Sequence, residues 1–319
     1  MRSKLNHVAK RVLSFIGLYS FFAYCYFYWK GKQLGFVIKR RSSPSSPKVE
    51  VSKGSRTIIC AWKHVSYLLD VLGGFDDLFE AVECEEVDEQ SVVDYSEPKY
   101  HVTLPSHERF YFTGLPELEW VSRLYAQETQ MKPGEVVLDI GAYCGGSTIF
   151  FSQLVGDKGE VHAFEPDGAN FEALSINAER LRRSNIILYH KGIWSIRGQI
   201  EFQAEGNMGS AVAGIMARRS KNQSIEVVTL EDALENCRGK KSHVIKMDIE
   251  GTELTVLQSS RKILASTLPR LIIEAHVVHG QENTRDLCAF LEACGYVCKV
   301  VPQGKLSLPL VAAKPKATF

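Results

Sequence analysis

Several things are missing from this sequence. Among eight cysteines (25, 60, 84, 144, 237, 288, 294 and 298) no two form a CxxC pair. Scattered, reduced, partly buried thiols of a cytosolic domain are the reading that remains. A metal cluster built from His276, His279, Cys294 and Cys298 is disfavoured. Its HxxH lies at a strand end rather than on one helical face, and CxxxC is not a usual zinc spacing. No metal ligand is therefore expected. Acids are absent from residues 1–41, which hold nine Lys or Arg. The other 278 residues then carry 29 basic against 37 acidic side chains, about −8, although the whole chain is +1. An acidic body argues against wrapping in nucleic acid, and a basic N-terminus argues for an anchor at one end. No internal repeat is visible.

Charge is also missing from Val12–Trp29, VLSFIGLYSFFAYCYFYW, 18 residues with nine aromatics and basic residues on both sides. As a helix it would span about 27 Å, just short of a hydrocarbon core of ~30 Å. No A-x-A-like site follows, so a cleaved signal peptide fits poorly. Aromatics beside basic flanks predict a membrane anchor, with a slight basic excess on the C-terminal side that leans toward a cytoplasmic body. Residues 42–47, SSPSSP, read as a flexible linker.

What is present becomes regular after Pro133-Gly134. At 319 residues, 45% of them apolar, the chain can hold one large domain plus extensions. Residues 48–130 show only partial helical periodicity, over Trp62–Leu78, and an acid-rich surface stretch, Asp76–Glu89. Beyond them short apolar runs recur: VVLDI (136–140), EVHAFE (160–165), NIILYH (185–190), HVIKMDI (243–249) and RLIIEAH (270–276). Amphipathic stretches such as Gly168–Arg183 separate the first of these. Buried strands alternating with helices predict a doubly wound α/β fold with a mostly parallel sheet. The expected division is an anchor over 1–41, a linker and variable extension over 42–130, and the main domain over 131–319.

The first strand runs into a glycine turn, VLDIGAYCGGST (137–148). A phosphate loop needs GxxxxGK[ST], but Ser147 stands where the lysine must reach the phosphates. A dinucleotide fingerprint needs GxGxxG, and Tyr143 occupies its second glycine. S-adenosylmethionine has no phosphate, but it carries an ammonium and a carboxylate. Asp139 suits the ammonium and the turn amides suit the carboxylate, while Gly141 and Gly145 let the backbone pass close to the ligand. Glu165 ends the next strand, 26 residues after Asp139. A carboxylate there can accept hydrogen bonds from both ribose hydroxyls.

These pieces resemble the FkbM-type methyltransferases, a Rossmann-like, S-adenosylmethionine-dependent family. The matching segments are PGEVVLDIGAYCGGST (133–148), VHAFEPDGANFEAL (161–174), IKMDIEGTELTVLQ (245–258) and RLIIEAH (270–276), in the family's order, covering roughly 133–300. The resemblance implies a seven-stranded sheet with one antiparallel strand, and O-methylation of small molecules or glycans. It gives as cofactor positions Asp139, Gly141, Tyr143, Gly145, Ser147, Glu165 and Pro166. Tyr143 departs from it, standing where the family often has a small polar residue. The NPPY-like element of many nucleic-acid base methyltransferases is absent, which counts against an RNA substrate.

A hydroxyl acceptor must be held on the line of displacement and must lose its proton. Asp248 and Glu250, two apart at the end of the fourth strand, share a face while the chain stays extended. With His276 they are the catalytic candidates. Glu253 is expected to stabilise the following helix start by its charge. Trp194 is a core residue or an adenine platform. The reading is a membrane-tethered O-methyltransferase acting on a sugar, glycan, lipid-linked or other small hydroxylic acceptor. The alternatives are a non-catalytic cofactor-binding module, against which the intact Asp139, Glu165 and Asp248 weigh, and an RNA methyltransferase.

Overall fold

The computed structural model describes residues 19–41, 47–104, 106–213, 222–237, 243–278, 281–304 and 308–316. The chain forms two compact units. One comprises residues 1–118 with 206–208 and 305–307, and the other 119–205, 209–304 and 308–319. The second unit begins with helix α1 (Glu119–Thr129), ahead of the boundary at 131 expected from sequence.

Its centre is a seven-stranded sheet of β1 (Val136–Ile140), β2 (Glu160–Phe164), β3 (Ile186–Tyr189), β4 (Val244–Met247), β5 (Arg270–Glu274), β6 (Tyr296–Val301) and β7 (Leu310–Pro315). The order is β3-β2-β1-β4-β5-β7-β6. The first five strands are parallel, and β7 runs antiparallel to both β5 and β6. Winding reverses between β1 and β4. Ligands of open α/β sheets bind outside the strands' carboxyl ends at such a reversal. This is a doubly wound α/β fold with a mixed sheet.

All five residues of β1 are buried, so it reads as a continuous apolar run. Leu138 and Ile140 pack on one face with Ile245, Met247, Leu271 and Ile273. Val137 packs on the other with Val161, Val244 and Ile272, against Tyr125 of α1 and Phe151 of α2 (Gly146–Val155). Two-residue periodicity alternates the strand's side chains between these cores. Helix α3 (Gly168–Arg180) starts where the Asp167 carboxylate accepts from the backbone N–H of Ala169 and Asn170, a capping interaction worth about 1 kcal/mol. Helices α4 (Leu230–Glu235), α5 (Glu253–Ser259), α6 (Arg261–Thr267) and α7 (Thr284–Ala293) complete the layers. A four-stranded sheet over Gly192–Ile193, Gly198–Gln203, Ala211–Val212 and Asn222–Val228 has no counterpart in the sequence expectation.

The first unit holds a five-stranded sheet whose strands are Val37–Arg41, Lys48–Lys53, Arg56–Ala61, Gln90–Tyr95 and Glu85–Val87. Trp62–Leu78 resolves into a 3-10 turn, Trp62–Tyr67, and a helix, Leu68–Gly73, followed by a second helix, Phe75–Glu80. Residues 42–46 of the expected linker, 42–47, and the start of the expected anchor, residues 12–18, lie outside the described residues.

The membrane expectation does not hold. The described part of the anchor forms a helix of 15 residues, Tyr19–Gln33, about 22 Å long at 1.5 Å per residue. It runs on past Trp29 into Lys30 and Lys32. Among the described residues no helix is long and apolar enough to cross a membrane. Part of this helix's apolar surface is instead taken up by its own unit. Phe27 is buried, Tyr24 lies 5.4 Å from the Trp62 ring, and Gly31 sits against Ile38. The aromatic count measured packing as well as affinity for an interface. The membrane localisation, and the leaning toward a cytoplasmic body drawn from its flanks, fall with the anchor.

Candidate active site at the carboxyl ends of the central strands

The turn after β1 is built by side chains that the sequence assigned to a ligand. The wholly buried Asp139 carboxylate accepts from Ser147 Oγ at 2.8 Å and Thr148 Oγ1 at 2.6 Å, both in the first turn of α2. Its other oxygen, Oδ1, lies 3.2 Å from Lys246 Nζ. Lys246 stands opposite Asp139 in the β1–β4 register and also donates to Gly141 O at 2.6 Å. This ion pair fixes the switch point from inside. Lys246 is a residue of the site that sequence reasoning passed over. Its signal was a charge between Ile245 and Met247 in a strand buried on both faces.

The glycines answer to packing. A Cβ on Gly141 would sit 1.8 Å from Asp248 O, and one on Gly145 would sit 2.6 Å from Leu174 Cδ1 of α3. Both residues have left-handed backbones, with φ of +79° and +91°. They permit close approach to β4 and α3, a reason distinct from approach to a ligand. The amides of Gly141, Ala142, Tyr143 and Gly145 are all engaged within the protein. The first two donate to Phe164 O, Gly145 to Ala142 O, and Tyr143 to Glu165 Oε2 at 2.9 Å.

Glu165 is buried just past β2. Its Oε1 accepts from Asp167 N at 2.9 Å, so each carboxylate oxygen holds one backbone N–H. Burial pushes its pKa up to about 8, against a partial opposing pull from those amides. Pro166 follows at the mouth of the turn, 3.6 Å from where a Cβ on Gly192 would lie. Trp194 packs into both neighbouring cores, which is the core role.

At the ends of β4 and β5 the catalytic candidates converge. His276 Nε2 lies 3.6 Å from Asp248 Oδ1 and 3.7 Å from Glu250 Oε2. They do not meet by sharing a strand face. Glu250 and Gly251 turn the chain with φ of +53° and +98°, which swings Glu250 back toward the histidine. His276 Nδ1 lies 2.8 Å from Glu253 Oε1, which also accepts from the amides of Gly251 and Ile249. Glu253 therefore pins the imidazole and the turn together, a role beyond the expected helix-dipole charge.

Burial lowers the His276 pKa, but Glu253 and Glu250 outweigh it and hold the ring well above its ordinary value. The Glu253 pKa is pushed up by burial, yet His276 and the turn amides bring it below normal. Asp248 is raised by burial beyond what Lys246 and His276 recover. Glu274, at the end of β5, is pushed up to about 8 by burial and by Asp248. It accepts from Tyr125 Oη at 3.2 Å.

The profile of the Methyltransferase FkbM domain matches residues 139–298, half of the chain. The chain belongs to this family. A curated relative, the hexuronic acid methyltransferase AglP of Haloferax volcanii, is 28% identical over 156 residues, 49% of this chain and 61% of that protein. The chain thus spans about three fifths of that relative's length. Among solved structures, a methyltransferase FkbM from Methylobacillus flagellatus has a TM-score of 0.44 at 19% identity, covering 60% of this chain and 50% of that one. A SAM-dependent methyltransferase from Aquifex aeolicus has a TM-score of 0.39 at 14% identity, covering 60% and 89%.

Membership of the Methyltransferase FkbM family implies S-adenosylmethionine as the cofactor. The residues fit. A carboxylate oxygen offers two lone pairs, and each oxygen of Glu165 accepts from one backbone amide, leaving acceptor capacity toward a ribose diol at the sheet's carboxyl edge.

Proposed function

We propose that this methyltransferase acts on a hydroxyl oxygen of a sugar or similar small acceptor. The observation that carries the reading is the convergence of Asp248 and Glu250 within 3.7 Å of His276 Nε2, beside the switch point. When bound, S-adenosylmethionine supplies an electrophilic methyl group. Glu165 is assigned to its ribose, and the turn holding Gly141, Tyr143, Gly145 and Pro166 to its walls. Asp139 and Ser147 are assigned to fixing that turn and the start of α2, since their side chains bond to each other. Asp248 and Glu250 orient the acceptor hydroxyl and take its proton as the oxygen–carbon bond forms and the sulfur–carbon bond breaks. His276, held by Glu253, keeps both carboxylates in place. Support for a sugar acceptor comes from the Haloferax relative, whose name specifies hexuronic acid.

The test is incubation with S-adenosylmethionine and a panel of uronic acids and neutral sugars, scored by mass spectrometry for one added methyl group. On the acceptor found, Asp248→Asn should lower turnover by roughly 10²–10⁴, the usual contribution of a positioned acid or base. Cofactor affinity in the same variant should change little. Normal turnover in Asp248→Asn removes the residue from catalysis.

A further inference from the structure

Asp248, Glu274 and His276 each offer a ligand atom, and the three atoms lie within 4.8 Å of one another. They come from two adjacent strand ends, so backbone pairing between β4 and β5 fixes their separation. Around an octahedral ion with bonds of about 2.1 Å, neighbouring ligand atoms sit ~3 Å apart and opposed ones ~4.2 Å. The 3.6 Å between His276 Nε2 and Asp248 Oδ1 is close to the shorter spacing.

Two further observations point to a cation. The other nitrogen of His276 is tied at 2.8 Å to the Glu253 carboxylate, so Nε2 is the atom turned toward Asp248. Metal-binding histidines are held in this way, with the remote nitrogen on a carboxylate that fixes ring and tautomer. Glu253, moreover, is wholly buried, and its Oε2 makes no hydrogen bond among the described residues. The Glu253 carboxylate is thus incompletely partnered. Asp248, Glu250, Glu253 and Glu274 crowd the strand ends, and the cations described against them are Lys246, 3.8 Å from Asp248, and His276 itself.

The geometry points to a divalent cation of the magnesium or manganese class bound by Asp248, Glu274 and His276. Two carboxylates without a thiolate suit that class, and the single imidazole makes manganese the better match of the two. The cysteines once weighed beside His276 are not available to it. Cys294 is buried in the core, and Cys298 is directed at Cys288 O; His279 lies outside the described residues. In its catalytic part the inference rests on the O-methyl-transfer reading. A bound cation would hold the acceptor hydroxyl and lower its pKa. The proton then passes to Glu250, the oxygen forms its bond to the methyl carbon, and the sulfur–carbon electron pair returns to sulfur. The ion's charge does not change. Such a site favours acceptors with two chelating oxygens, a vicinal diol or a hydroxy acid, which uronic acids contain.

The experiment uses full-length protein stripped with a chelator and titrated with Mn²⁺, followed by electron paramagnetic resonance. One ion per chain is expected, with affinity falling about 10- to 100-fold in Glu253→Gln, whose side chain holds the histidine and the Ile249 and Gly251 amides but is not itself a proposed ligand, and at least as far in Glu274→Gln. In the wild-type protein, bound Mn²⁺ should broaden the NMR signals of His276 before those of the other histidines. That measurement stands if either variant fails to fold. Binding no tighter in wild type than in folded Glu274→Gln, or earliest broadening at another histidine, overturns the site. So does an absence of binding, since the imidazolium would then be the cation that balances the carboxylates. Calorimetry of S-adenosylmethionine on the metal-free protein separates the two readings. Cofactor binding without Mn²⁺ binding sinks this inference alone. Mn²⁺ at His276 without cofactor binding supports the ion site and sinks the methyl-transfer reading.

Discussion

At the scale of single residues, the buried Asp139–Lys246 pair has the clearest consequence. Two charges taken from water repay their desolvation only together, so deleting one leaves the other uncompensated. Lys246→Met should cost about 3–5 kcal/mol in denaturant unfolding. Adding Asp139→Asn should recover part of that loss, because Ser147 and Thr148 can still donate to an amide oxygen. Additive losses in the double variant would mean that the two groups are not coupled. Glu165 makes a second case. Glu165→Gln keeps the shape but replaces one acceptor oxygen with a donor, and at pH 9, where the wild-type carboxyl has ionised, should weaken S-adenosylmethionine binding by about 1.5–3 kcal/mol, the scale of hydrogen bonds to charged groups. Unchanged calorimetric affinity in the folded variant removes the ribose role. The sequence identified Glu165 as an acid ending a strand. Its grip on Tyr143 N was hidden, since that contact bridges two turns 22 residues apart.

At the scale of elements, the turn from β1 into α2 was legible as a glycine turn joining a strand to a helix, but the cause of its glycines was not. Gly141 has a left-handed backbone, and a Cβ there meets the carbonyl of Asp248 at 1.8 Å. Gly141→Ala should therefore push apart the ends of β1 and β4. The backbone conformation alone costs of order 1–3 kcal/mol, and the clash adds to it. The denaturant midpoint should fall with the m-value unchanged. A midpoint like wild type would show that the turn yields freely. The β4 turn failed differently as a sequence reading. Two-residue spacing placed Asp248 and Glu250 together for an extended chain, whereas they meet His276 because Glu250 and Gly251 reverse it.

At the scale of the molecule, pH links the fold to its buried acid. Glu165 has an ordinary value near 4.5 and is pushed up to about 8 by burial. Across that interval the folded chain holds a proton that the unfolded chain has released, so this contribution to stability is present at low pH and is lost as pH rises through about 8. Glu165→Gln has no such proton to lose. Melting curves from pH 5 to 9 should show wild type losing ground to the variant as pH increases. Parallel curves would place Glu165 in a more polar setting than its burial implies. The two units differ in how far the sequence foretold them. The second repeats apolar strands between helices, and one periodic signal indicates its class. The first alternates short strands with short helices, and its Tyr19–Gln33 helix carried a composition that suits lipid and protein neighbours alike.

The sequence by itself determined the α/β class, the five parallel strands and their edge residues, and the family, because these rest on local periodicity and on motifs whose spacing follows the strand–turn–helix unit. Tertiary structure alone decided what those residues touch. Asp139 faces Lys246 only because β4 inserts beside β1, more than one hundred residues later in the chain. His276 meets Asp248, Glu250 and Glu253 only because β5 lies next to β4. Pairing across a parallel sheet sets register between distant segments through backbone hydrogen bonds, and backbone hydrogen bonds are common to every residue type, so no side-chain pattern records the choice.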